Sequence, residues 1–461
     1  MSTAVPAPPA GLLADLRGAG PVETDPAVLE AHRRDHAAPW LLEAGMPVAL
    51  VRPGSTAEVQ AAVRAAARHR VPIVPRGAGS GLSGGANAID GCLVLSLERM
   101  HSVLDVRGDD LVAVVQPGVI NADLGRAVAG ERLWYAPDPA SWEFSTIGGN
   151  VATNAGGLCC LKYGVTRDSL LALEVVLADG RAVRLGRSTR KGVAGYDLVG
   201  LFCGSEGTLG IVTEATVRLR PPPAPAATLA ASFPSLPGAG EAIARIAREC
   251  RPSMLELMDR LTIGAVEAFR PQELDPDAAA MVFARADDGR AESLEAIAAM
   301  ERICEAAGAS LVATTDEEAE GRLLMAARRL AFTALEHSGA TLLDDVAVPL
   351  GAIPALLDGV ARIAAEREVL IGTFGHAGDG NMHPTVVYDP RDEAAVAAAR
   401  SAFEAIVALA LSLGGTITGE HGVGMLKRPY LADELGDAHG LHRAVKEALD
   451  PAGLLNPGKA L

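Results

Sequence analysis

Short apolar runs alternate with amphipathic stretches near the start of the chain. Residues 48–53 begin with four apolar residues and predict a strand, and the apolar residues 71–74 form a second run of this kind. Between them, Ser55 and Glu58 have the spacing of a capping box, which predicts that a helix begins here. The apolar side of this helix is expected to consist of Val59, Val63 and Ala67. The strand–helix–strand order indicates an α/β unit in this part of the chain.

The same kind of pattern continues up to a proline-rich segment. The predicted strands are 93–97, 103–106, 111–115 and 211–218, and the predicted helix is 122–128. Four of the five residues 221–225 are proline, which makes a stiff connector and a suitable domain boundary.

Beyond the prolines, strands and helices alternate again. The predicted strands are 229–233, 254–258, 281–285, 309–313 and 341–348, and the predicted helices are 239–248, 292–306 and 317–335. This order favours an antiparallel sheet with helices on one side, an α+β domain. We expect a partly helical extension over residues 1–45, a first domain over 46–223 and a second domain over 224–461.

Composition and charge exclude several classes of protein. The formal net charge of −16 makes nucleic-acid binding through a basic surface improbable. The six cysteines include no C-x-x-C pair, which favours reduced, buried thiols in a cytoplasmic protein. The first 20 residues lack the features of a signal peptide, and no transmembrane segment is expected. We therefore expect a cytoplasmic protein that reaches a membrane only through a partner.

A glycine-rich stretch, residues 75–85, follows the second strand and is called the glycine loop below. Gly79, Gly81 and Gly84 match G-x-G-x-x-G, which is typical of a Rossmann dinucleotide site when a helix follows. Here an apolar strand at residues 92–95 follows instead, so the Rossmann interpretation is rejected. A loop whose backbone N–H groups hold a pyrophosphate remains, and a surface loop that needs glycine only for turning is the alternative.

Two further stretches are rich in glycine. The second glycine stretch, residues 145–157, combines small residues with two asparagines, and the third glycine stretch, residues 204–210, precedes a predicted strand. Small residues over so long a span indicate that a flat molecule lies against the backbone.

Histidines with glycine neighbours form a separate candidate site. His376 and His383 are seven residues apart, and Glu420 is next to His421 in a second glycine-rich segment. Two imidazoles and a carboxylate are a common ligand set for a divalent transition metal, and three protein ligands leave coordination positions open for a substrate. His421, next to Glu420, could then take a proton from that substrate. The alternative, plain hydrogen-bonded histidines, stays open at this point.

Five motifs together resemble a known family: residues 75–81, 137–139, 147–150, 154–157 and 204–210. They are similar to the FAD domain of the vanillyl-alcohol oxidase/p-cresol methylhydroxylase superfamily. Over residues 45–461 the chain resembles its FAD-linked 2-hydroxyacid dehydrogenases. The resemblance implies a two-subdomain FAD-binding domain of the p-cresol methylhydroxylase type. It also implies an α+β substrate domain and a C-terminal helical segment that returns to the flavin.

The resemblance also implies the residues that contact FAD. The pyrophosphate would lie on Arg76, Gly77, Ala78, Gly79, Ser80 and Gly81. The adenosine-to-flavin path would be lined by Pro137, Gly148, Gly149, Asn150, Asn154 and Gly157. The ADP half or the flavin edge would contact Glu206, Gly207 and Ile211, and Asn456 would return to the flavin. The glycine loop contains no histidine for a covalent flavin link, so non-covalent FAD is expected, with a thioether to Cys159 or Cys160 as the alternative.

The family's metal ligands correspond to His376, His383 and Glu420, its base to His421 and its substrate-side asparagine to Asn381. The metal would be zinc, with manganese or iron as alternatives. The arginine that receives the substrate carboxylate would be Arg328, or Arg329 if the alignment slips by one residue.

The implied reaction is oxidation of a small D-2-hydroxyacid to the 2-oxoacid, with hydride transfer to flavin N5. Glycolate or D-lactate is favoured over D-2-hydroxyglutarate, because Leu343 and Phe332 stand where members acting on hydroxyglutarate have a lysine and a hydroxyl residue. Electrons would pass to a cytochrome, a quinone-linked carrier or an iron–sulfur subunit, and a homodimer is left open. The second hypothesis is a flavin-binding subunit that supports a glycolate oxidase complex.

Overall fold

A computed structural model describes residues 5–39, 41–189 and 191–461. Its contacts divide the chain into two compact units. The first unit comprises Met1–Gly156, Gly164–Pro222 and Glu420–Leu461, and the second comprises Gly157–Tyr163 and Pro223–Gly419. The C-terminal segment thus belongs to the first unit, while the domain boundaries expected from the sequence stay a prediction.

Within the described residues, the strands form one sheet in the second unit and two in the first. In chain order they are β1 (Val22–Glu23), β2 (Ala49–Val51), β3 (Ile73–Arg76), β4 (Leu93–Ser96), β5 (Val103–Arg107), β6 (Val112–Val115), β7 (Leu170–Val176), β8 (Ala182–Gly186), β9 (Ile211–Arg218), β10 (Ala227–Phe233), β11 (Met254–Asp259), β12 (Ala280–Ala286), β13 (Leu311–Thr315), β14 (Ala340–Leu343), β15 (Val346–Ala347), β16 (Leu370–His376) and β17 (Asn381–Tyr388).

The α-helices lie between these strands and at the two ends of the chain. In chain order they are α1 (Leu12–Asp15), α2 (Pro26–His32), α3 (Thr56–His69), α4 (Asn121–Ala129), α5 (Ile147–Thr153), α6 (Cys160–Tyr163), α7 (Leu198–Phe202), α8 (Leu236–Glu249), α9 (Arg260–Phe269), α10 (Arg290–Ala306), α11 (Glu318–Leu324), α12 (Ala326–Ser338), α13 (Ile353–Arg367), α14 (Glu393–Ser412), α15 (Leu431–Leu435) and α16 (His439–Leu449).

The first sheet of the first unit has the order β1-β2-β4-β3, and β4 pairs in parallel with both β2 and β3. The described residues between β3 and β4 contain no helix, which confirms the prediction that excluded a Rossmann site. The C-terminal segment bonds to the start of β3, because Ile73 N–H donates to the Leu454 carbonyl and Asn456 N–H donates to the Ile73 carbonyl. The glycine loop therefore leaves a strand that is fixed on both sides.

Helix α3 begins where the capping pattern predicts. The Ser55 hydroxyl accepts a hydrogen bond from Glu58 N–H at 3.3 Å, but the Glu58 carboxylate accepts from Gly54 N–H rather than from Ser55. Val59 and Val63 are buried, as expected. The expectation for Ala67 is wrong, since Ala67 is exposed and Ala66 is buried, because the 3.6-residue period rotates position 67 towards solvent.

The second sheet of the first unit is antiparallel, with the order β5-β6-β9-β7-β8. Helices α4, α5 and α7 contribute to its core, which contains Val115, Leu124, Val151, Phe202 and Val217.

The second unit has one antiparallel sheet of order β13-β10-β12-β11-β16-β17-β14, with β15 also paired to β17. The predicted α+β class with an antiparallel sheet is confirmed. Two predicted elements are interrupted: the helix expected at 317–335 breaks at Met325 into α11 and α12, and the strand expected at 341–348 divides into β14 and β15 around Asp344 and Asp345.

Helix α14 is long and apolar enough to cross a membrane by length and composition. A helix packed in a protein core passes the same test, and here Ala402, Phe403 and Ile406 are buried while α14 packs against α13 and β17. The helix is therefore weak support for a membrane span.

Candidate functional site

The glycine loop touches the second glycine stretch within the first unit. A Cβ added to Gly77 would lie 2.5 Å from the Thr146 hydroxyl, which caps α5 by accepting from Gly149 N–H at 3.2 Å. Residue 77 therefore has no room for a side chain. The two stretches that the sequence marks as glycine-rich form one surface.

The third glycine stretch joins the same surface. Gly204 and Glu206 donate their backbone N–H groups to the carbonyls of Val151 and Ala152 at 2.9 and 2.8 Å. Gly207 has a φ of +70°, and a Cβ there would lie 2.5 Å from the Pro75 ring. All three stretches thus meet at the end of β3, which supports their common role.

The glycine loop offers backbone N–H groups that could bind a ligand. Within the described part of the chain, the N–H groups of residues 77–81 donate no hydrogen bond. Adjacent donors left open in this way are suited to an anion such as a pyrophosphate. Arg76 precedes them, and its guanidinium donates to the Arg34 carbonyl at 2.8 Å. Burial lowers the pKa of Arg76, and Asp35 and Glu98 oppose this shift.

Three buried polar groups nearby fit a polar, negatively charged ligand. Within the described residues, the Asn150 amide nitrogen, the Asn456 Oδ1 and the Lys459 amine have no hydrogen-bond partner. Lys459 is only 1% exposed. Burial lowers its pKa, while Cys92, Asp35 and Glu206 favour the charged form. An unpartnered buried amine is costly, so an anionic group of a bound cofactor would satisfy it.

Glu206 connects the third glycine stretch to the C-terminal segment. Its carboxylate accepts hydrogen bonds from Val423 N–H at 2.7 Å and Gly424 N–H at 2.8 Å. Asn456 donates its amide N–H groups to the Glu206 and Gly85 carbonyls at 2.7 and 3.0 Å. Burial raises the pKa of Glu206 to about 7, and the two backbone donors partly offset this. Glu206 and Asn456 therefore hold the C-terminal segment on the glycine surface.

Other predicted cofactor residues have structural tasks as well. Asn154 caps the end of α5 and accepts from Arg167 N–H at 2.8 Å, and the Pro137 carbonyl accepts from Asn121 at 3.0 Å. Ile211 is buried in a hydrophobic core at the start of β9, and Gly157 belongs to the second unit. Contacts of these residues with FAD stay a prediction. Gly148 lies in α5, and Ala78 and Ser80 lie in the glycine loop.

In the second unit, strand pairing brings the candidate metal ligands together. Phe374 on β16 is opposite His383 on β17, and His376 is opposite Asn381. Because paired residues and residues two apart point to the same side of a sheet, all four share one face. The two buried imidazole rings are 5.3 Å apart between centroids, and their candidate ligand atoms lie within 4.8 Å.

A buried glutamate on the next strand supports this pair. The register of β11 against β16 puts Glu256 beside His376. The Glu256 Oε1 lies 2.9 Å from His376 Nδ1, and Oε2 accepts a hydrogen bond from Arg328 Nε at 2.9 Å and forms an ion pair with Nη2 at 2.7 Å. The Arg328 guanidinium also lies 4.9 Å from the centre of the Phe374 ring. The next residue, Arg329, is exposed, so the structure brings Arg328 and not Arg329 into this cluster.

A fully buried aspartate, Asp345, bonds to Asn381 and lies close to the other histidine. Asp345 accepts from the Asn381 amide at 2.7 Å, from the Thr418 hydroxyl at 2.7 Å and from Gly419 N–H at 3.0 Å. Its Oδ1 lies 3.8 Å from His383 Nδ1. The amino group of Asn381 faces the carboxylate, so its Oδ1 points away from Asp345.

Glu420 and His421 follow Gly419 directly in the chain, and the division into units falls between Gly419 and Glu420. The His421 Nε2 lies 3.6 Å from the Glu420 Oε1. The bond from Asp345 to Gly419 N–H therefore fixes the backbone immediately before these two residues.

Sequence reasoning missed two of the central carboxylates. Glu256 stands inside the apolar run 254–258, and Asp345 stands inside the run 341–348. A charged residue within an apolar strand was the available signal, because such a group is rarely buried without a partner.

Comparisons with known proteins agree with this architecture. Residues 47–186 match the family model described as "FAD binding domain", and residues 222–460 match "FAD linked oxidases, C-terminal domain". The glycolate oxidase subunit GlcD of Bacillus subtilis is 44% identical over 418 residues, which is 90% of this chain and 89% of that protein. The D-lactate dehydrogenase of Archaeoglobus fulgidus is 35% identical over 442 residues, 94% of this chain and 96% of that protein.

Solved structures support the fold. p-Cresol methylhydroxylase with bound substrate has a TM-score of 0.80 at 16% identity, covering 98% of each chain. The 4-ethylphenol oxidase of Gulosibacter chungangensis has a TM-score of 0.79 at 21% identity, covering 99% of this chain and 98% of that one. Together with the two family models, these relatives confirm the resemblance and the FAD-binding fold: the chain belongs to the FAD-linked oxidases and is an FAD-dependent oxidoreductase of the GlcD and D-lactate dehydrogenase type.

Proposed function

We propose that this protein is an FAD- and divalent-metal-dependent dehydrogenase that oxidises a small D-2-hydroxyacid to the 2-oxoacid. The observation that carries the proposal is the buried cluster around Glu256. The Glu256 carboxylate contacts both His376, whose imidazole can bind a metal, and Arg328, whose guanidinium can bind a carboxylate. A substrate with neighbouring hydroxyl and carboxylate groups needs both.

The residues present fit both implied groups. The open N–H groups of residues 77–81 and the unpartnered Lys459 amine would hold the negative part of FAD non-covalently. His376, His383 and Glu420 would hold the metal, and imidazole with carboxylate suits zinc, with manganese or iron as alternatives. When bound, FAD supplies a hydride acceptor and the metal supplies a Lewis acid.

The side chains of the chain have separable tasks in this proposal. Arg328 binds the substrate carboxylate through Nη1, since Glu256 occupies Nε and Nη2. His421 takes the proton of the 2-hydroxyl group. Asn381 orients the substrate through Oδ1, because its amino group is held by Asp345. The hydroxyl loses its proton to His421, and the two electrons of the C2–H bond leave as hydride.

The substrate side of the cluster favours a short acid. Leu343 and Phe332 pack against the hydrophobic cluster of the second unit, which includes Phe374. Phe332 is four residues after Arg328 on α12, so the two side chains lie on the same side of the helix. A second carboxylate placed there would be unpaired and would cost several kcal/mol, on the order of 3–5. We therefore favour glycolate or D-lactate over D-2-hydroxyglutarate.

The proposal extends to an electron acceptor other than oxygen, in the cytoplasm. Two relatives are named as subunits of glycolate oxidase, which supports a partner here. The acceptor would be a cytochrome, a quinone-linked carrier or an iron–sulfur subunit. The second candidate, a supporting flavin subunit, would have no use for the buried pairs Glu256–His376 and Asp345–Asn381, which favour the catalytic one.

Anaerobic mixing with 2-hydroxyacids tests the proposal. Glycolate, both lactates and both 2-hydroxyglutarates are added to the yellow protein, and loss of flavin absorbance is followed. We expect glycolate or D-lactate to bleach the flavin fastest, and chelation followed by metal analysis to remove this activity with the metal. Full activity in protein shown to be metal-free would refute the metal, and no bleaching by any 2-hydroxyacid would refute the substrate class.

A further inference from the structure

We infer that Glu256 is a positioning residue that couples metal binding to substrate-carboxylate binding. The inference rests on the proposed function, but Glu256 itself touches neither FAD nor substrate in that proposal. Its three partners are His376 Nδ1, Arg328 Nε and Arg328 Nη2. Both neighbouring side chains belong to the proposed machinery.

The contact with Glu256 fixes which imidazole nitrogen of His376 would face a metal. A carboxylate 2.9 Å from His376 Nδ1 accepts a hydrogen bond, so the proton of the neutral ring lies on Nδ1. Nε2 then keeps its lone pair for a ligand bond. In metal sites generally, replacing a carboxylate that orients a metal-binding histidine in this way weakens metal binding by about 10–100-fold.

The same carboxylate aims the guanidinium. Arg328 Nε donates a hydrogen bond to Glu256 Oε2 and Nη2 forms an ion pair with the same oxygen, while the Phe374 ring centre lies 4.9 Å from the guanidinium. These contacts fix the orientation of the Arg328 guanidinium, so that its Nη1 group can donate to a second anion. Glu256 is fully buried, so water cannot replace it for either partner.

Glu256→Gln keeps the shape and removes the charge. In either orientation of the amide, its NH₂ group replaces one carboxylate oxygen and presents a donor to His376 Nδ1 or to the Arg328 guanidinium. Asp259→Asn is the matched control. Asp259 lies on the same strand and is partly buried, and its carboxylate accepts from the Thr262 and Thr373 backbone N–H groups at 2.9 and 2.8 Å, two residues outside the proposed site.

The first measurement is zinc titration of metal-depleted, FAD-loaded protein. We expect Glu256→Gln to weaken zinc binding about 10–100-fold and Asp259→Asn to leave it within about twofold of the parent. Steady-state kinetics at saturating zinc should show a raised KM for the hydroxyacid in Glu256→Gln only. Equal zinc affinity in Glu256→Gln and the parent, or equal losses in both variants, would overturn the inference.

The second measurement does not need a metal. Long-range ¹H–¹⁵N NMR of the imidazoles is recorded on metal-free protein at about pH 8, above the usual histidine pKa, with His376→Asn for assignment. We expect an Nδ1–H ring for His376 in the parent and a mixture of tautomers in Glu256→Gln. If the parent binds no zinc, the metal part of the proposed function fails, and the tautomer alone decides on Glu256. An Nε2–H ring in the parent would overturn the inference.

Discussion

The glycine surface of the first unit and the histidine cluster of the second are built from different parts of the chain. The first consists mainly of backbone: there is no room for a Cβ at residue 77, and the backbone N–H groups of residues 77–81 donate no hydrogen bond within the described chain. In the second, Glu256 and Asp345 bond to side chains that strands β16 and β17 bring to one face. Backbone supplies the first site, and side chains backed by buried carboxylates supply the second.

Two buried glutamates show the consequence. Among the described residues, the Glu206 carboxylate accepts from the backbone N–H groups of Val423 and Gly424 and holds a chain segment in place, whereas the Glu256 carboxylate bonds to the side chains of Arg328 and His376. Replacing the first should change stability and its pH dependence. Replacing the second should change ligand affinity, because its partners are the proposed ligand-binding groups.

The largest effect should come from removing a metal ligand of the second unit. His383→Ala should lose the metal and lower turnover by about 10³-fold or more, since Lewis-acid stabilisation is worth several kcal/mol. Its FAD content should stay that of the parent, because the predicted cofactor residues lie almost entirely in the first unit. Metal analysis, flavin absorbance and kinetics measure the three quantities. His337→Ala, an exposed histidine of the same unit, is the control. Loss of both FAD and metal in His383→Ala would contradict the claim that the two groups are held by different regions of the chain.

The two regions also differ in how far the sequence predicts them. Glycine is required where two backbone segments approach closely or where φ is positive. Gly77 and Gly207 therefore indicate the first surface from the sequence itself. The histidines were predicted from their glycine neighbours and residue types. The sequence does not predict that two buried carboxylates lie next to this site. Glu256 is 120 residues from His376 along the chain, and Asp345 is 36 residues from Asn381. Only the strand register of the second sheet brings these pairs together.

Glu206 should make stability depend on pH. Its pKa is raised from 4.5 to about 7, so the carboxyl prefers to be protonated in the folded state. The stability it contributes is fully present below about pH 4.5 and is lost as the pH rises through about 7. Relative to Glu206→Gln, the FAD-free parent should lose about 3 kcal/mol of unfolding free energy between about pH 4 and pH 8. Chemical denaturation at both pH values measures this, and a constant difference between the two proteins would contradict it.

A smaller effect should distinguish strain from function in the glycine loop. Gly79 and Gly91 have φ values of +75° and +77°, so alanine at either position should cost about 1 kcal/mol of stability. A Cβ at Gly79 would meet the Arg76 guanidinium, while a Cβ at Gly91 would have nothing within 4 Å. Only Gly79→Ala should raise the Kd for FAD, by about tenfold, which corresponds to roughly 1.4 kcal/mol. Equal FAD affinities in the two variants would show that the loop is a turn and not a cofactor surface.

The smallest effect concerns substrate length and tests the side-chain region alone. Leu343 pairs with Thr385 across β14 and β17, and Thr385 is two residues from His383, so all three lie on the same side of the sheet. Leu343→Lys would place an ammonium group near this side, since a lysine stem can pass along apolar neighbours such as Phe374. A partly exposed ion pair is worth about 1 kcal/mol, so kcat/KM for D-2-hydroxyglutarate relative to D-lactate should rise about fivefold. Leu343→Met, which changes shape without charge, should leave this ratio unchanged. Steady-state kinetics with both acids measures it. A rise of the same size in the methionine variant would show that space rather than charge limits the longer acid, and a parent that already prefers D-2-hydroxyglutarate would overturn the assignment of Leu343 and Phe332 to substrate selection.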